Sequence, residues 1–445
     1  MSSPETGTEG AVARPRAANR PIDHPLRGTL NAEAHARPPE PLRAPLRMTY
    51  LALIGDTSER AGERAHVASL AEAHGARAPT EGANHFSADL GVFRLVWERH
   101  TEFSRYLFIV ADDGGEPFTQ PAIAAVPATW LEGLAGQTLV ATHVALRHSD
   151  ESAPDLEEIA STCFEGNTVI GASIAHGGAV ALTDFRIHAD GFGRLLLLNR
   201  AMPSRQAGRM LQRLLEIDTY RILALLAFPI AREMNSILAT HEQELAEITA
   251  QMASAVGVDE AALLDRLTRL QAGIESREAA SNFRFTAAAA YYELVRARIV
   301  ELREQRLPGV QHFQEFTDRR LAPAMNTCRS VSRRLESLSQ RTARATDLLS
   351  TRVGVSRERQ SQELLESMNK RSAAQLRLQQ TVEGLSIAAI TYYIVGLVGY
   401  AAEGLEAAGA PINPGVATAV SIPFVIAIVA WGIRRIRKAV IHSVP

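Results

Sequence analysis

The sequence predicts an α+β protein in three parts: an N-terminal α/β domain with a mixed sheet, a long helical stalk and two C-terminal transmembrane helices. Strand-like and helix-like segments alternate up to about residue 203, only helical periodicity follows, and two uncharged apolar runs lie near the C-terminus. The chain of 445 residues is long enough for two or three domains. The predicted parts are a disordered tail at 1–20, the α/β domain at 21–203, the stalk at 204–384, the transmembrane hairpin at 385–433 and a basic tail at 434–445.

The first domain is predicted from short apolar segments separated by turn residues. Two neighbouring strands joined by a short polar link predict a hairpin. Farther along, the pairs Gly177-Gly178 and Asp190-Gly191 separate three short strands. The predicted elements are strands at Met48–Ile54, Gly91–Glu98, Phe103–Ala111 and Thr138–Leu146, a helix at Glu59–His74, and three strands between residues 168 and 199.

Long helices are predicted after Pro203, at residues 204–252 and 259–306, with a third that begins near Phe316. An unbroken third helix from Asp318 to Ala402 would be about 125 Å long and would need partner helices along its apolar seam. The sequence therefore predicts a coiled-coil-like stalk, and two or three helices of an intramolecular bundle are the alternative. The seam consists of Leu335, Leu338, Ala345, Leu348 and Leu349.

Two apolar runs, at 385–402 and 416–433, each contain 18 residues without a charge. As helices they are roughly 27 Å long, close to the thickness of a bilayer's hydrocarbon core. Two adjacent uncharged runs favour membrane spans over a buried helical hairpin. A third apolar stretch, Ile222–Ala231, has about half the spanning length and is predicted to be the buried face of a soluble helix.

The charges around these runs predict their orientation. Arg371 and Arg377 precede the first run and four basic residues follow the second, whereas the linker Glu403–Gly415 contains two acids and no base. Basic residues are enriched on the cytoplasmic side, so both termini are predicted to be cytoplasmic. The four basic residues are Arg434, Arg435, Arg437 and Lys438.

Composition and motifs exclude several classes of function. A net charge of −2 gives no overall attraction to nucleic acid, and two distant cysteines form neither a metal motif nor a disulfide framework. The sequence contains no phosphate-binding loop, no His-Glu-x-x-His and no Gly-x-Ser-x-Gly motif. We therefore expect no enzyme and no cofactor, and a divalent cation only as a transported or sensed ion.

Two segments resemble a known family. Asn31–Leu42, with the sequence NAEAHARPPEPL, and Thr381–Val398, with the sequence TVEGLSIAAITYYIVGLV, look like hallmark stretches of uncharacterised bacterial membrane-anchored proteins, a domain-of-unknown-function family. The resemblance covers the chain after about residue 20. It implies a location in a bacterial inner membrane and no established activity.

The layout is also similar to that of the CorA-type magnesium channels, in which a stalk helix continues into the first of two C-terminal membrane helices. That resemblance implies a pentamer whose pore is lined by the first membrane helix. The family's Gly-Met-Asn signature corresponds here to Gly399-Tyr400-Ala401, with Gly396 three residues earlier. The asparagine that would bind a hydrated cation is therefore replaced by alanine.

The pore hypothesis assigns roles to seven residues. Glu403 and Glu406 would form carboxylate rings at a pore mouth, although solvated loop acids are the alternative. The hydroxyls of Ser386 and Thr391 could face a pore or bond to a helix backbone, and paired glycines are also common at close helix contacts. The complete predicted ion path is Ser386, Thr391, Gly396, Gly399, Tyr400, Glu403 and Glu406.

Near the N-terminus, Glu33, His35 and Arg37 form a polar cluster followed by several prolines. An extended proline-rich segment could present the arginine to a carboxylate or phosphate, and an extended strap over the sheet is the alternative.

Two functional hypotheses follow. One is a CorA-like homo-oligomeric cation channel, and the other is a membrane-anchored scaffold or sensor without transport activity. The lipid bilayer is a partner in both hypotheses.

Overall fold

The computed structural model describes residues 23–35, 38–149, 154–254, 259–409 and 411–441. The chain divides into two compact units. The α/β unit contains the residues up to 250 together with 267–343, and the second unit contains 251–266 and the residues from 344 onward. The predicted disordered tail, residues 1–20, lies outside the described residues.

The α/β unit is built on one eight-stranded mixed sheet, as predicted. Its order is β2-β3-β4-β1-β5-β8-β7-β6, in which β5 and β8 are parallel and all other neighbours are antiparallel. The strands are β1 (Leu46–Ile54), β2 (His85–Asp89), β3 (Arg94–Arg99), β4 (Phe103–Ala111), β5 (Gln137–His148), β6 (Ile170–Ile174), β7 (Ala179–Thr183) and β8 (Gly193–Asn199).

Helices account for the remaining regular structure of the described residues, apart from two short 3-10 turns. They are α1 (Arg27–His35), α2 (Glu63–Ala73), α3 (Ala128–Glu132), α4 (Leu156–Phe164), α5 (Ser204–Leu225), α6 (Ala227–Ala253), α7 (Glu260–Leu302), α8 (Phe313–Arg320), α9 (Ala322–Ala407) and α10 (Pro414–Ile441).

One face of the sheet holds an aromatic core beneath α2 and α3. Trp97 and Tyr106 are fully buried there, and Trp130 packs edge-on against Tyr106 with ring centroids 6.2 Å apart. His66 of α2 stacks on Trp130 at 4.6 Å and thereby connects the two helices. Alternate residues of a strand point to opposite faces, so the intervening residues of β3 and β4 face the long helices.

The opposite face is covered by α5. Tyr50 of β1 hydrogen-bonds Thr219 at 2.7 Å, and Thr142 of β5 donates to Asp218 at 3.1 Å. The single helix predicted over residues 204–252 is divided at Leu226 into α5 and α6. The apolar stretch at 222–231 crosses this division, and its residues Leu223 and Ala227 are buried in the α/β unit.

The third predicted helix is continuous. α9 runs for 86 residues from Ala322 to Ala407, with Pro323 in its first turn and Gly354 within it. The bundle of separate shorter helices is therefore wrong for this segment, apart from the separate short helix α8. Proline is tolerated in a first turn because the first amide groups have no partner within the helix.

The conformation predicted near the N-terminus was partly wrong. Glu33 and His35 lie within helix α1 and not in an extended segment, while Arg37 lies outside the described residues. The chain is extended from Pro38, and Leu42 bonds the carbonyl of Ser204 at 2.9 Å. Extended structure therefore begins where the prolines remove helical amide donors.

Candidate functional site in the apolar helix pair

Three helical stretches are long and apolar enough to cross a membrane by length and composition. The first, Ser204–Ala253, combines α5 and α6, and 33% of its most apolar window is buried within the chain. The other two, Ala322–Ala407 and Pro414–Arg435, have only 11% of their windows buried. We call residues 385–407 of α9 together with α10 the apolar helix pair.

Within this pair, the covered side chains of α9 lie on one side of the helix, which we call the inner stripe. It consists of Thr391, Val395, Val398 and Ala402, at the 4-3-4 spacing of one helix face. Thr391 and Ala402 are 9% and 5% exposed, and on α10 Val425 is equally covered. This stripe supplies the packing surface of the pair.

Gly399 lies beside the inner stripe, where the two helices approach closely. A Cβ built on Gly399 would lie 3.4 Å from Thr418 Oγ1 of α10. Small residues permit such approaches between helices. Gly399 is therefore a packing position between α9 and α10.

The hydroxyls of Ser386 and Thr391, both predicted to line a pore, have different surroundings in the structure. Ser386 donates to the carbonyl of Val382 at 2.8 Å, which is the backbone bond that was the alternative to pore lining. Thr391 belongs to the buried inner stripe, and its Oγ1 has no hydrogen-bond partner among the described residues. Thr391 is therefore buried within the chain, whereas the Ser386 hydroxyl bonds to the backbone of its own helix at a partly exposed position.

The exposed face, which we call the outer stripe, contains the other predicted residues. Ala389, Tyr393, Gly396, Tyr400 and Glu403 are all exposed and follow a 4-3-4-3 spacing. The two stripes are offset by two residues, or about 200° around the helix. The outer stripe is thus the face that α10 leaves uncovered, with Tyr400 being 76% exposed.

Other tyrosine and acidic side chains flank the outer stripe. Tyr392 is 77% exposed and its ring meets that of Tyr393 edge-on at 5.9 Å. Glu406 is exposed one turn after Glu403. Among the described residues, nothing lies within 4 Å of a Cβ built on Gly396, so this glycine has room for a partner.

The outer stripe continues toward the N-terminal part of α9. Apolar residues at the same helical phase are all more than half exposed, interrupted by Arg371 and Gln375. They are Leu364, Met368, Leu378, Val382 and Leu385. Their spacing maintains a 3-4 repeat up to the apolar run, which is the pattern of a seam between parallel helices.

The α/β unit contains a buried charged network that the sequence analysis missed. Arg105 of β4 donates to Glu98 of β3 at 2.7 Å and lies 3.7 Å from Glu216 of α5. Arg298 of α7 bonds Glu216 in turn. The network therefore joins the sheet to two helices.

Within this network, the opposite charges stabilise each other and so offset the free-energy cost of removing them from water. Burial by itself would raise the pKa of Glu98, but His100, whose Nε2 is 3.5 Å from the carboxylate, and the charge of Arg105 lower it to about 2. The carboxylate is therefore ionised at neutral pH. Among the described residues, no group of three or more His, Cys, Asp or Glu is arranged to hold a metal ion.

The chain was compared with curated proteins, solved structures and protein-family models. No curated protein and no solved structure matches the chain. A family model described as "Protein of unknown function (DUF3422)" matches residues 22–440, which confirms the resemblance to an uncharacterised family. Because the match covers nearly the whole sequence, the chain belongs to this DUF3422 family.

Proposed function

We propose that the protein is a homo-oligomeric cation channel anchored in the membrane, with a layout like that of CorA. In this proposal α9 is the innermost membrane helix and the α/β unit lies in the cytoplasm. The observation that supports it most is the outer stripe of α9, which combines tyrosine, glycine and glutamate on the face that α10 leaves uncovered.

A lipid-facing outer stripe would be costly. Tyr392 and Tyr393 lie near the middle of the apolar run, where hydrocarbon offers their hydroxyls no hydrogen-bond partner. Tyrosine is usually enriched at the membrane interface, where its hydroxyl reaches water. Contact with further copies of α9, or with a water-filled path between them, would remove this cost.

The N-terminal continuation of the stripe supports copies of the same chain as partners. A membrane anchor gives all copies one orientation, so their α9 helices meet in parallel. Leu364, Leu378 and Leu385 would then face their counterparts across a shared seam. Arg371 and Gln375 would form polar layers of the kind that select register and oligomeric state.

Charge supports a cation as the transported species. Between Arg377 and Arg434 the chain contains three acids and no lysine or arginine. Rings of Glu403 and Glu406 at the outer mouth would raise the local cation concentration, and tyrosine hydroxyl oxygens could replace part of an ion's water shell. Since alanine replaces the CorA asparagine, we do not assign the channel to magnesium.

Cysteine cross-linking tests the assembly. We expect L378C on the outer stripe to form a disulfide-linked dimer under mild oxidation, whereas Q380C, about 200° away, stays monomeric. The native cysteines, Cys163 and Cys328, are buried, so the wild-type chain provides the background. Equal cross-linking of both variants would contradict a seam along this stripe.

Ion flux into proteoliposomes tests transport. We expect E403Q/E406Q to lower cation flux by about tenfold at low ionic strength, and by less at high salt because the carboxylate field is screened. E363Q, which removes an exposed acid in the stalk, should leave flux unchanged. Absence of flux for every cation, with L378C still cross-linking, would favour the membrane-anchored scaffold or sensor.

A further inference from the structure

The α/β unit contains a cavity of about 290 Å³ between α5 and the first residues of β5 and β8. It is independent of the apolar helix pair. The residues that matter for its chemistry are Thr142, Phe185, Arg186, Arg194, Asp218 and Arg221. Three cationic side chains and one carboxylate thus line a space large enough for a small organic molecule.

Both carboxylate oxygens of Asp218 already have hydrogen-bond partners. Its two oxygens accept hydrogen bonds from Thr142 Oγ1 at 3.1 Å and from Arg221 at 2.5 Å. The charge of Arg194 is also paired, because it donates to the carbonyl of Cys163 and to Glu165, both at 2.9 Å, while its buried Nε has no hydrogen-bond partner among the described residues. These contacts neutralise one guanidinium each and leave the third arginine without a counter-charge.

Arg221 keeps part of its hydrogen-bonding capacity. Its guanidinium lies over the ring of Phe185, 4.5 Å from the centroid, and this stacking fixes its plane. Its Nε is buried and has no hydrogen-bond partner among the described residues. A buried donor without a partner is costly, and an acceptor within the cavity would remove that cost.

Arg186 is the unpaired cation. Its side chain is exposed at the cavity, and among the described residues no carboxylate forms an ion pair with it. An arginine fork recognises carboxylates and phosphates because its donors match their oxygens in pairs. Arg186 and Arg221 therefore provide the charge and the donors of an anion site.

A second cavity, of about 550 Å³, contains an arginine whose hydrogen-bonding capacity is already used. It is lined by Arg60, whose guanidinium donates to the carbonyls of Gly55, His100 and Thr101. Those backbone acceptors use both edges of that guanidinium. Arg186 and Arg221 of the smaller cavity differ from Arg60, because they retain donors without a partner among the described residues.

We propose that the smaller cavity binds a small organic anion with a carboxylate or phosphate head group. Arg186 and Arg221 hold the head group, and the apolar part of the molecule lies against Leu139, Phe185 and Ile222, which line the same cavity. The volume limits the ligand to a small molecule.

Calorimetry on the full-length protein in nanodiscs, with empty nanodiscs as the blank, tests this site. The probes are phenyl phosphate, benzoate and inorganic phosphate at matched ionic strength. We expect phenyl phosphate or benzoate to bind about tenfold more tightly than inorganic phosphate, since only they have an apolar part. The tighter of the two identifies the head group as phosphate or carboxylate.

Two variants locate the binding. R186Q should weaken the tighter probe about tenfold, because it removes one charge-assisted contact without disturbing a buried partner. R209Q removes an exposed arginine of α5 that does not line the cavity and should leave the affinity unchanged. The proposal is overturned if no probe binds below about 10 mM, if inorganic phosphate binds as tightly as the aryl probes, or if R186Q binds like wild type.

Discussion

The α/β unit and the apolar helix pair differ in how far their large side chains are buried. In the α/β unit the large side chains Trp97 and Tyr106 are fully covered, and the charges of Glu98 and Arg105 are buried against each other. In the helix pair, residues such as Tyr400 face outward without cover from the chain itself. The first unit completes its own core, whereas the second requires lipid or further copies to cover its apolar surface.

Removal of the apolar helix pair should have the largest effect on this contrast. A chain that ends at residue 384 lacks both apolar runs and should move from the membrane fraction to the soluble fraction almost completely. Cell fractionation followed by an alkaline carbonate wash provides the measurement. If the wash releases the full-length protein, the helix pair is not embedded in lipid.

The next largest effect is expected when the buried charged network of the α/β unit is disrupted, which should lower the stability of that unit. R105M should lower the free energy of unfolding by about 3–5 kcal/mol, because Glu98 would remain buried without its arginine and Glu216 would keep only Arg298. R94M on the neighbouring strand should cost less than about 1 kcal/mol, since that arginine pairs with Asp89 at a partly exposed site.

Urea unfolding followed by tryptophan fluorescence measures both variants. Of the three tryptophans, Trp97 and Trp130 lie in the α/β unit, and Trp431 lies in α10. A W431F background therefore makes the signal specific to the α/β unit. Similar losses in R105M and R94M would mean that burial does not determine the strength of these pairs.

Much of the fold could be predicted from the sequence because its signals are local. The β3–β4 hairpin and the three strands between residues 168 and 199 were correct, since turn residues separate runs of apolar residues. The helical periodicity of α9 allowed either one continuous helix or two or three shorter ones, and the structure has the continuous helix. Strand β2 and helix α4 were missed, because they are short and β2 contains polar residues.

The site was less predictable because it depends on partners distant in sequence. Glu98 and Glu216 share Arg105 although more than 100 residues separate them, and no local pattern relates them. Gly396 and Gly399 look equivalent in the sequence, yet among the described residues a Cβ built on Gly399 would meet α10 and one built on Gly396 would not. Which glycine packs within the chain is decided by the phase of α9 relative to its neighbour.

The smallest of these effects is a dependence of stability on pH in the α/β unit. His143 is buried between Thr49, 3.0 Å from its Nδ1, and the stacked ring of Phe192 at 4.0 Å. Burial lowers the pKa of His143 to about 4, although the charge of Asp190 partly opposes this. The unfolded chain, in which histidine titrates near pH 6.5, therefore binds the proton more readily than the folded chain does.

The direction of the effect follows from this difference. Between about pH 6.5 and about pH 4 the unfolded state takes up the proton first, so acidification lowers the free energy of unfolding, by at most about 3 kcal/mol. In the W431F background, H143Q should remove most of this slope, while H148Q at an exposed position should keep it. An unchanged slope in H143Q would place the acid sensitivity in the carboxylates, of which Glu98 titrates only at lower pH.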